Sequence, residues 1–166
     1  MMIIDVKSKK HGLKQFFIDE NDFDKIKDYN FGISNNGFNK EYVYCFKKKD
    51  SKNKIYLHRI ITDCPSGLVV DHINGNTFDN RQSNLRICTI VENSINCPVS
   101  KNKIHSKYKG VFYRKDKNNW RVDIRKDGKR HHFGTFYNEV DAAICYNKNA
   151  VILFGEYAQL NIIDGD

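Results

Sequence analysis

From Lys109 to Phe136 the side chains alternate with a period of two, and this pattern constrains the fold more tightly than any other stretch. Three strands are predicted, Lys109 to Arg114, Trp120 to Lys126 and Lys129 to Phe136. Asp127-Gly128 joins the last two as a hairpin turn, because a two-residue loop needs positive φ. On the middle strand Trp120, Val122 and Ile124 share one face while Arg121, Asp123 and Arg125 share the other. Val111 and Tyr113 likewise oppose Phe112 and Arg114, and Arg130 and His132 oppose His131 and Phe133. An apolar face needs a cover. Val140, Ala143, Ile144, Asn147, Ala150, Val151 and Phe154 recur at helical spacing behind an Asn138 cap and before Gly155. The prediction is a three-stranded antiparallel sheet packed on one helix, with its arginine face open to solvent.

Charge gives that face a partner. Residues 101–137 hold 12 Lys/Arg against 3 Asp/Glu, an excess of +9, whereas the whole chain carries +8. The remainder is therefore near neutral, and a localised excess interleaved with Trp, Tyr and Phe predicts a polyanion. A small sheet can enter the major groove, so the exposed arginine face is the expected double-stranded DNA surface. At 166 residues, 40% of them hydrophobic, the chain can fold as one ordinary domain or two small ones. Five cysteines without a C-x-x-C pair argue against a zinc ribbon or a disulfide framework and fit a reduced setting. No signal peptide or long apolar run is visible, so a soluble, intracellular, cytoplasmic protein without a membrane partner is expected.

Upstream the pattern is less regular. Residues 1–54 read as a β-rich lead-in of unknown role, with a strand at Ile3 to Val6, a short acidic helix within Asp19 to Tyr29, and a strand at Tyr42 to Phe46. Lys47-Lys48-Lys49 then reads as a solvated turn. Residues 55–98 form the next unit, with strands at Ile55 to Thr62 and Leu68 to Val70, an Asn/Asp/Gly-rich loop from Asn74 to Asn84, and a short helix from Val91 to Cys97 stopped by Pro98. Residues 99–107 have linker composition, and 108–163 complete the chain's last domain.

The central unit carries the chemistry. Val70-Asp71-His72-Ile73-Asn74-Gly75-Asn76 sets a base beside an oxygen ligand, with Asn84-Leu85-Arg86 and Asn93 following. Phosphodiester hydrolysis needs a deprotonated water and a positive centre on the phosphate and leaving oxygen. Neutral imidazole supplies the base near pH 7, and Asp71 with an amide oxygen is a hard donor set suited to magnesium. Adjacent strand residues point apart, so the helix with Asn93 must return beside Asp71 to complete such a site.

Leu57-His58-Arg59, Val70 to Asn76, Asp79-Asn80, Asn84-Leu85-Arg86 and Asn93 resemble the HNH endonucleases over residues 55–97, most nearly the phage homing branch that ends its motif in Asn. The resemblance implies a ββα-metal fold with His72 as general base, Asp71 and Asn93 on one divalent ion (Mg²⁺, with Mn²⁺ substituting), and Asn84 bracing the loop that orients His72. It also implies 5′-phosphate and 3′-hydroxyl products and a phage, viral or mobile-element setting. Residues 108–161 resemble the plant Apetala/ethylene-response-factor DNA-binding domain. The matching residues are Tyr108-Lys109-Gly110-Val111, Trp120, Asp123-Ile124-Arg125, Phe133-Gly134-Thr135-Phe136, Asp141-Ala142-Ala143, Tyr146, Ala150 and Leu160-Asn161. That likeness places Lys109, Arg114, Arg121, Asp123, Arg125, Arg130 and His132 on or near the DNA face.

Other polar residues have two readings. Arg81 and Arg86 can touch phosphate near the cut or brace the loop, and the two stand level. His58 is structural or DNA-proximal rather than a metal ligand. His131 and His132 are strand neighbours whose rings point apart. His11 and His105 are expected on the surface, Trp120 in the core, and the cysteines as buried hydrophobes. The chain as a whole is thus expected to be α+β: a β-rich segment and a ββα-metal HNH unit, then the sheet-on-helix domain. Its expected activity is metal-dependent cleavage of double-stranded DNA by a monomer or weak dimer without a small-molecule cofactor. The alternative is a DNA-binding regulator whose nuclease unit is inactive.

Overall fold

The computed structural model describes residues 1–8, 10, 12–35, 40–47, 49–96 and 106–163. Two compact units result, Met1–Asn93 and Ser94–Asp166. Both mix short antiparallel sheets with few helices, an α+β organisation. Among the described residues no helix is long and apolar enough to cross a membrane. The expected linker 99–107 lies outside the described residues except for Ser106 and Lys107, as do His11, His105 and Cys97.

In the first unit β1 (Met2–Ser8) and β2 (Gly12–Ile18) form a hairpin, followed by the short helix α1 (Phe23–Ile26). Strands β3 (Asn30–Asn35), β4 (Glu41–Lys47) and β5 (Asp50–Tyr56) make a three-stranded sheet, with Lys47 and Lys49 flanking its second turn. Helix α2 (Leu57–Ile61) leads to the β6 (Val69–His72) and β7 (Leu85–Cys88) hairpin, and α3 (Ile90–Ile95) comes next.

The expected strand at Ile55 to Thr62 is corrected: the chain leaves the sheet at Tyr56 and turns helical at Leu57. Leu57 and Ile61, one helical turn apart, are both buried, and their burial overrides the β-branched preference of Ile60-Ile61-Thr62. The expected strand at Leu68 to Val70 begins one residue later and runs on to His72. Helix α3 begins at a capping box, in which Glu92 Oε2 accepts from Thr89 N and Oγ1 at 2.7 and 2.8 Å while Glu92 N donates to Thr89 Oγ1 at 3.2 Å. Residues 1–54 do not pack as a separate body, because Val6, Phe16, Ile18, Ile33, Val43 and Cys45 share one core with Leu57, Ile61, Val70 and Leu85.

The second unit is an antiparallel sheet of β8 (Val111–Arg114), β9 (Asn119–Lys126) and β10 (Lys129–Phe136), covered by α4 (Glu139–Phe154). Asn138 Oδ1 accepts from Val140 N at 2.8 Å, which caps α4. The buried face of α4 differs from the expected one. Ala142, Ala143, Tyr146 and Ala150 face the sheet, whereas Val140, Ile144 and Val151 are 36%, 52% and 48% exposed. Three alanines allow close approach, and the Tyr146 ring fills the space that Gly110 leaves by having no side chain. The inward stripe therefore follows small volume and a preformed hole rather than aliphatic bulk.

Candidate active site

Hairpin β6–β7 sets the register of the motif, pairing His72 with Leu85 and Asp71 with Arg86. Between the strands the loop is held by its own amides. Asn84 Oδ1 accepts from Asn74 N at 2.9 Å and Asn84 Nδ2 donates to Asp79 O at 2.8 Å, so one buried side chain ties both ends. Asn74 Oδ1 takes Asn76 N at 2.8 Å, and Gly75, at φ 74°, donates its N–H to His72 O at 2.8 Å. The N-terminal hairpin supports this loop from outside. Phe17 N donates to Phe78 O, Asn80 N to Phe17 O, and Gln82 N to Asp19 Oδ2, at 2.9, 2.8 and 2.9 Å.

His72 is buried at the end of β6, and its Nε2 lies 3.4 Å from Asn80 Oδ1. Its ring stands edge-to-face with that of buried His58, centroids 5.3 Å apart. Tyr56 stacks on His58 at 5.4 Å, and the Tyr42 ring lies 6.2 Å from His72. Burial, opposed by Asn80 and the nearby carboxylates, holds His72 below the ordinary imidazole pKa, and Lys40 pushes the same way as burial. Burial drives His58 down to about 3, helped by His72 and Arg59. Both rings are therefore neutral at physiological pH.

This neutrality has a cost in acid. The unfolded chain takes up a proton on His58 near pH 6.5, whereas the folded chain does so only near 3, so stability should fall as pH drops from about 6.5 toward 3. The slope approaches about 1.4 kcal/mol per pH unit. Urea midpoints measured at pH 7 and 5 should therefore differ less in His58→Phe than in the wild type; an unchanged difference rejects the assignment.

Asp71 is buried and ion-paired, its Oδ2 accepting from Arg86 Nη2 at 2.6 Å and Nε at 2.9 Å. Arg81 clasps Asp79 in a bidentate pair at 2.7 Å through each oxygen and holds that carboxyl below its usual range. Both guanidinium groups thus hold carboxylates of the site. Asn93 lies on α3, half-buried, its N–H donating to Thr89 O at 3.0 Å. Among the described residues no group of three or more His, Cys, Asp or Glu side chains forms a metal cage. One carboxylate with amide oxygens fits a hydrated hard cation such as Mg²⁺, which keeps several waters, and does not fit a closed zinc centre.

Sequence reasoning missed Lys40, Tyr42 and Asn80 as neighbours of His72, and Tyr56 as the ring stacked on His58. The alternation Tyr42-Val43-Tyr44-Cys45-Phe46 could have shown that one face of β4 is aromatic.

On the second unit Arg121, Asp123 and Arg125 share the face of β9 turned away from α4. Asp123 is buried beneath its neighbours, with Arg121 Nε at 2.8 Å and His132 Nδ1 at 3.2 Å. Arg121 also lies 5.9 Å from the Phe112 ring. Arg125 and Arg130 are cross-strand partners and exposed. Lys109 Nζ donates to Ile95 O at 2.7 Å, and Arg114 pairs with Asp116 in the β8–β9 loop at 2.9 Å. Arg125 and Arg130 thus form an exposed cationic pair on this sheet, while Asp123 organises Arg121 and His132 around itself.

Residues 56–95 match the family described as HNH endonuclease. A protein of Acanthamoeba polyphaga mimivirus described as an uncharacterized HNH endonuclease is 41% identical over 118 residues, covering 67% of this chain and 59% of that protein. Protein 3.8 of Escherichia phage T7 is 36% identical over 69 residues, covering 42% of this chain and 56% of its own length. The chain thus spans somewhat more than half the length of these curated relatives. No solved structure matches. Asp71, His72, Asn84 and Asn93 all lie within the residues that match the HNH endonuclease family.

Proposed function

We propose that the chain is a metal-dependent endonuclease of homing type that hydrolyses phosphodiesters in double-stranded DNA. The observation that carries this reading is a buried, neutral His72 inside the matched HNH segment, on a loop tied down by Asn84 and Asp79. His72 takes the proton of the attacking water. Asp71 and Asn93 are the residues that would hold one divalent ion, Mg²⁺ or in its place Mn²⁺, with Arg86 fixing the carboxylate for that task. When bound, such an ion would supply positive charge at the phosphate and the departing 3′ oxygen. The fold of this segment is of the ββα-metal type, with β6, β7 and α3 as its three elements. The products are a 5′ phosphate and a 3′ hydroxyl. One site per chain cuts one strand, so a monomer nicks and a dimer can make double breaks.

The second unit holds the duplex as an Apetala/ethylene-response-factor-type module. Lys109, Arg114, Arg121, Arg125, Arg130 and His132 form or border its DNA face, and Asp123 positions two of them. Arg125→Ala should weaken duplex binding and lower the slope of log affinity against log salt by about one. Unchanged affinity across Arg125→Ala and Arg130→Ala would reject this surface.

The test of the whole reading is a supercoiled-plasmid assay with Mg²⁺ or Mn²⁺, and with EDTA as control. Relaxed circles are expected with either metal and not with EDTA. Folded protein that binds duplex DNA yet nicks in neither metal sinks the endonuclease reading in favour of a DNA-binding regulator.

A further inference from the structure

The outer face of the β3–β4–β5 sheet is built of rings, and its Tyr42 lies 6.2 Å from the His72 ring. Val43 and Cys45 of β4 enter the core, so Tyr42, Tyr44 and Phe46 stand on the opposite side, where a half-solvated sheet ordinarily carries polar residues. Gly32 of β3 lies directly across from Tyr44. A Cβ there would overlap the tyrosine ring, so the missing side chain lets Tyr44 lie down on the sheet.

Tyr56 pairs with Tyr44 from the other side, and its hydroxyl reaches within 3.4 Å of Ser34 Oγ. The Tyr56 ring stacks on His58 at 5.4 Å with planes 11° apart, and His58 meets His72 at 5.3 Å. Two ring-to-ring steps thus connect this face to the candidate base. Tyr56 also borders an open cavity of about 140 Å³, which it shares with Ser34, Tyr44 and Lys54 but not with His58. Lys54 Nζ sits 4.7 Å from the Tyr44 ring centroid.

We propose that this cavity binds an unpaired nucleobase of the DNA strand whose phosphodiester lies at His72. Tyr56 is the stacking platform, Tyr44 the side wall, and Lys54 the contact to the backbone phosphate. The proposal rests on the nuclease reading of His72. An aromatic platform flanked by a cation is the chemistry that holds single strands, since every base offers a π-face while phosphate offers charge. A paired base keeps its faces inside the duplex stack, so the occupant must be unstacked or already single-stranded. Continuity of the rings with His72 selects a nucleotide of the substrate strand over a separate partner. A protein segment would have no reason to end at the catalytic histidine.

The experiment uses the full chain with EDTA present and a short single-stranded oligonucleotide carrying one 2-aminopurine, whose fluorescence is quenched on stacking. Wild type should quench it. Tyr56→Leu should abolish the quenching and weaken single-strand binding by about tenfold, the size expected for one lost base–aromatic stack. Tyr56→Phe should restore both, because the ring remains, and Lys54→Gln should lower the salt slope by about 0.7. Unchanged quenching in Tyr56→Leu overturns the proposal, as does an equal loss in Tyr56→Leu and Tyr56→Phe, which would mark the Ser34 contact rather than stacking. A chain that nicks plasmid without quenching 2-aminopurine keeps the nuclease reading and loses this one. Quenching without nicking overturns the nuclease reading and, with it, the assignment of the bound base to the cut strand.

Discussion

Replacing His72 with Ala should reduce plasmid nicking by about 10²- to 10⁴-fold, the range expected when a positioned general base is removed. Protonation is the first requirement. A histidine works as a base only in its neutral form, and burial beside His58 and Lys40 keeps His72 in that form. The ring also contacts Asn80. Asn80 Nδ2 is turned to Thr77 O at 3.5 Å, which leaves Oδ1, an acceptor, facing His72 Nε2. On the proposed reading, in which the cations of the second unit meet the phosphate charge, duplex affinity should change little in the same variant. Nicking within a few-fold of wild type would remove His72 from the mechanism. Equal losses of nicking and duplex binding would place it in DNA contact instead.

The elements that could be read from sequence are those whose burial is decided locally. The strands β9 and β10 follow from alternation and from Asp127-Gly128, whose φ values of 51° and 74° are what such a turn requires. The start of α4 follows from Asn138. The face that α4 buries did not follow, because Tyr146 enters a hole made by Gly110, which lies far away in sequence. Likewise Leu57 to Ile61 is helical because its apolar pair meets residues of β1 to β4, which no local window contains. At the site, the adjacency of Asp71 and His72 at the end of one strand was legible. The Asp71–Arg86 pair was not, since it depends on strand register across the loop, and neither was the contact of His58 with His72, which requires the turn from β5 into α2. The N-terminal residues were opaque for the same reason: Phe17, Asp19 and Tyr42 act only where the fold brings them against the motif.

Gly110→Ala should be the most damaging single methyl in the second unit. Gly110 has φ 73°, and an alanine there costs about 1 kcal/mol in backbone conformation alone. The larger penalty is steric. The new Cβ would lie within the ring of Tyr146, which is 3% exposed at the centre of the core, while the backbone carbonyl of Asp123 blocks the other side at 3.1 Å. Tyr146 must therefore leave its site, and displacing a buried aromatic costs about 3–5 kcal/mol by analogy with its truncation. Together these approach the whole stability of a small domain, about 5–15 kcal/mol. Thermal denaturation of the full chain should show the transition of the second unit shifted sharply down or lost, with duplex affinity falling with it. The two penalties separate in a double-mutant cycle. In a Tyr146→Ala background the ring is already gone, so Gly110→Ala should add only the backbone cost of about 1 kcal/mol. If the two substitutions were additive, the Gly110–Tyr146 contact would not be what sets the buried face of α4.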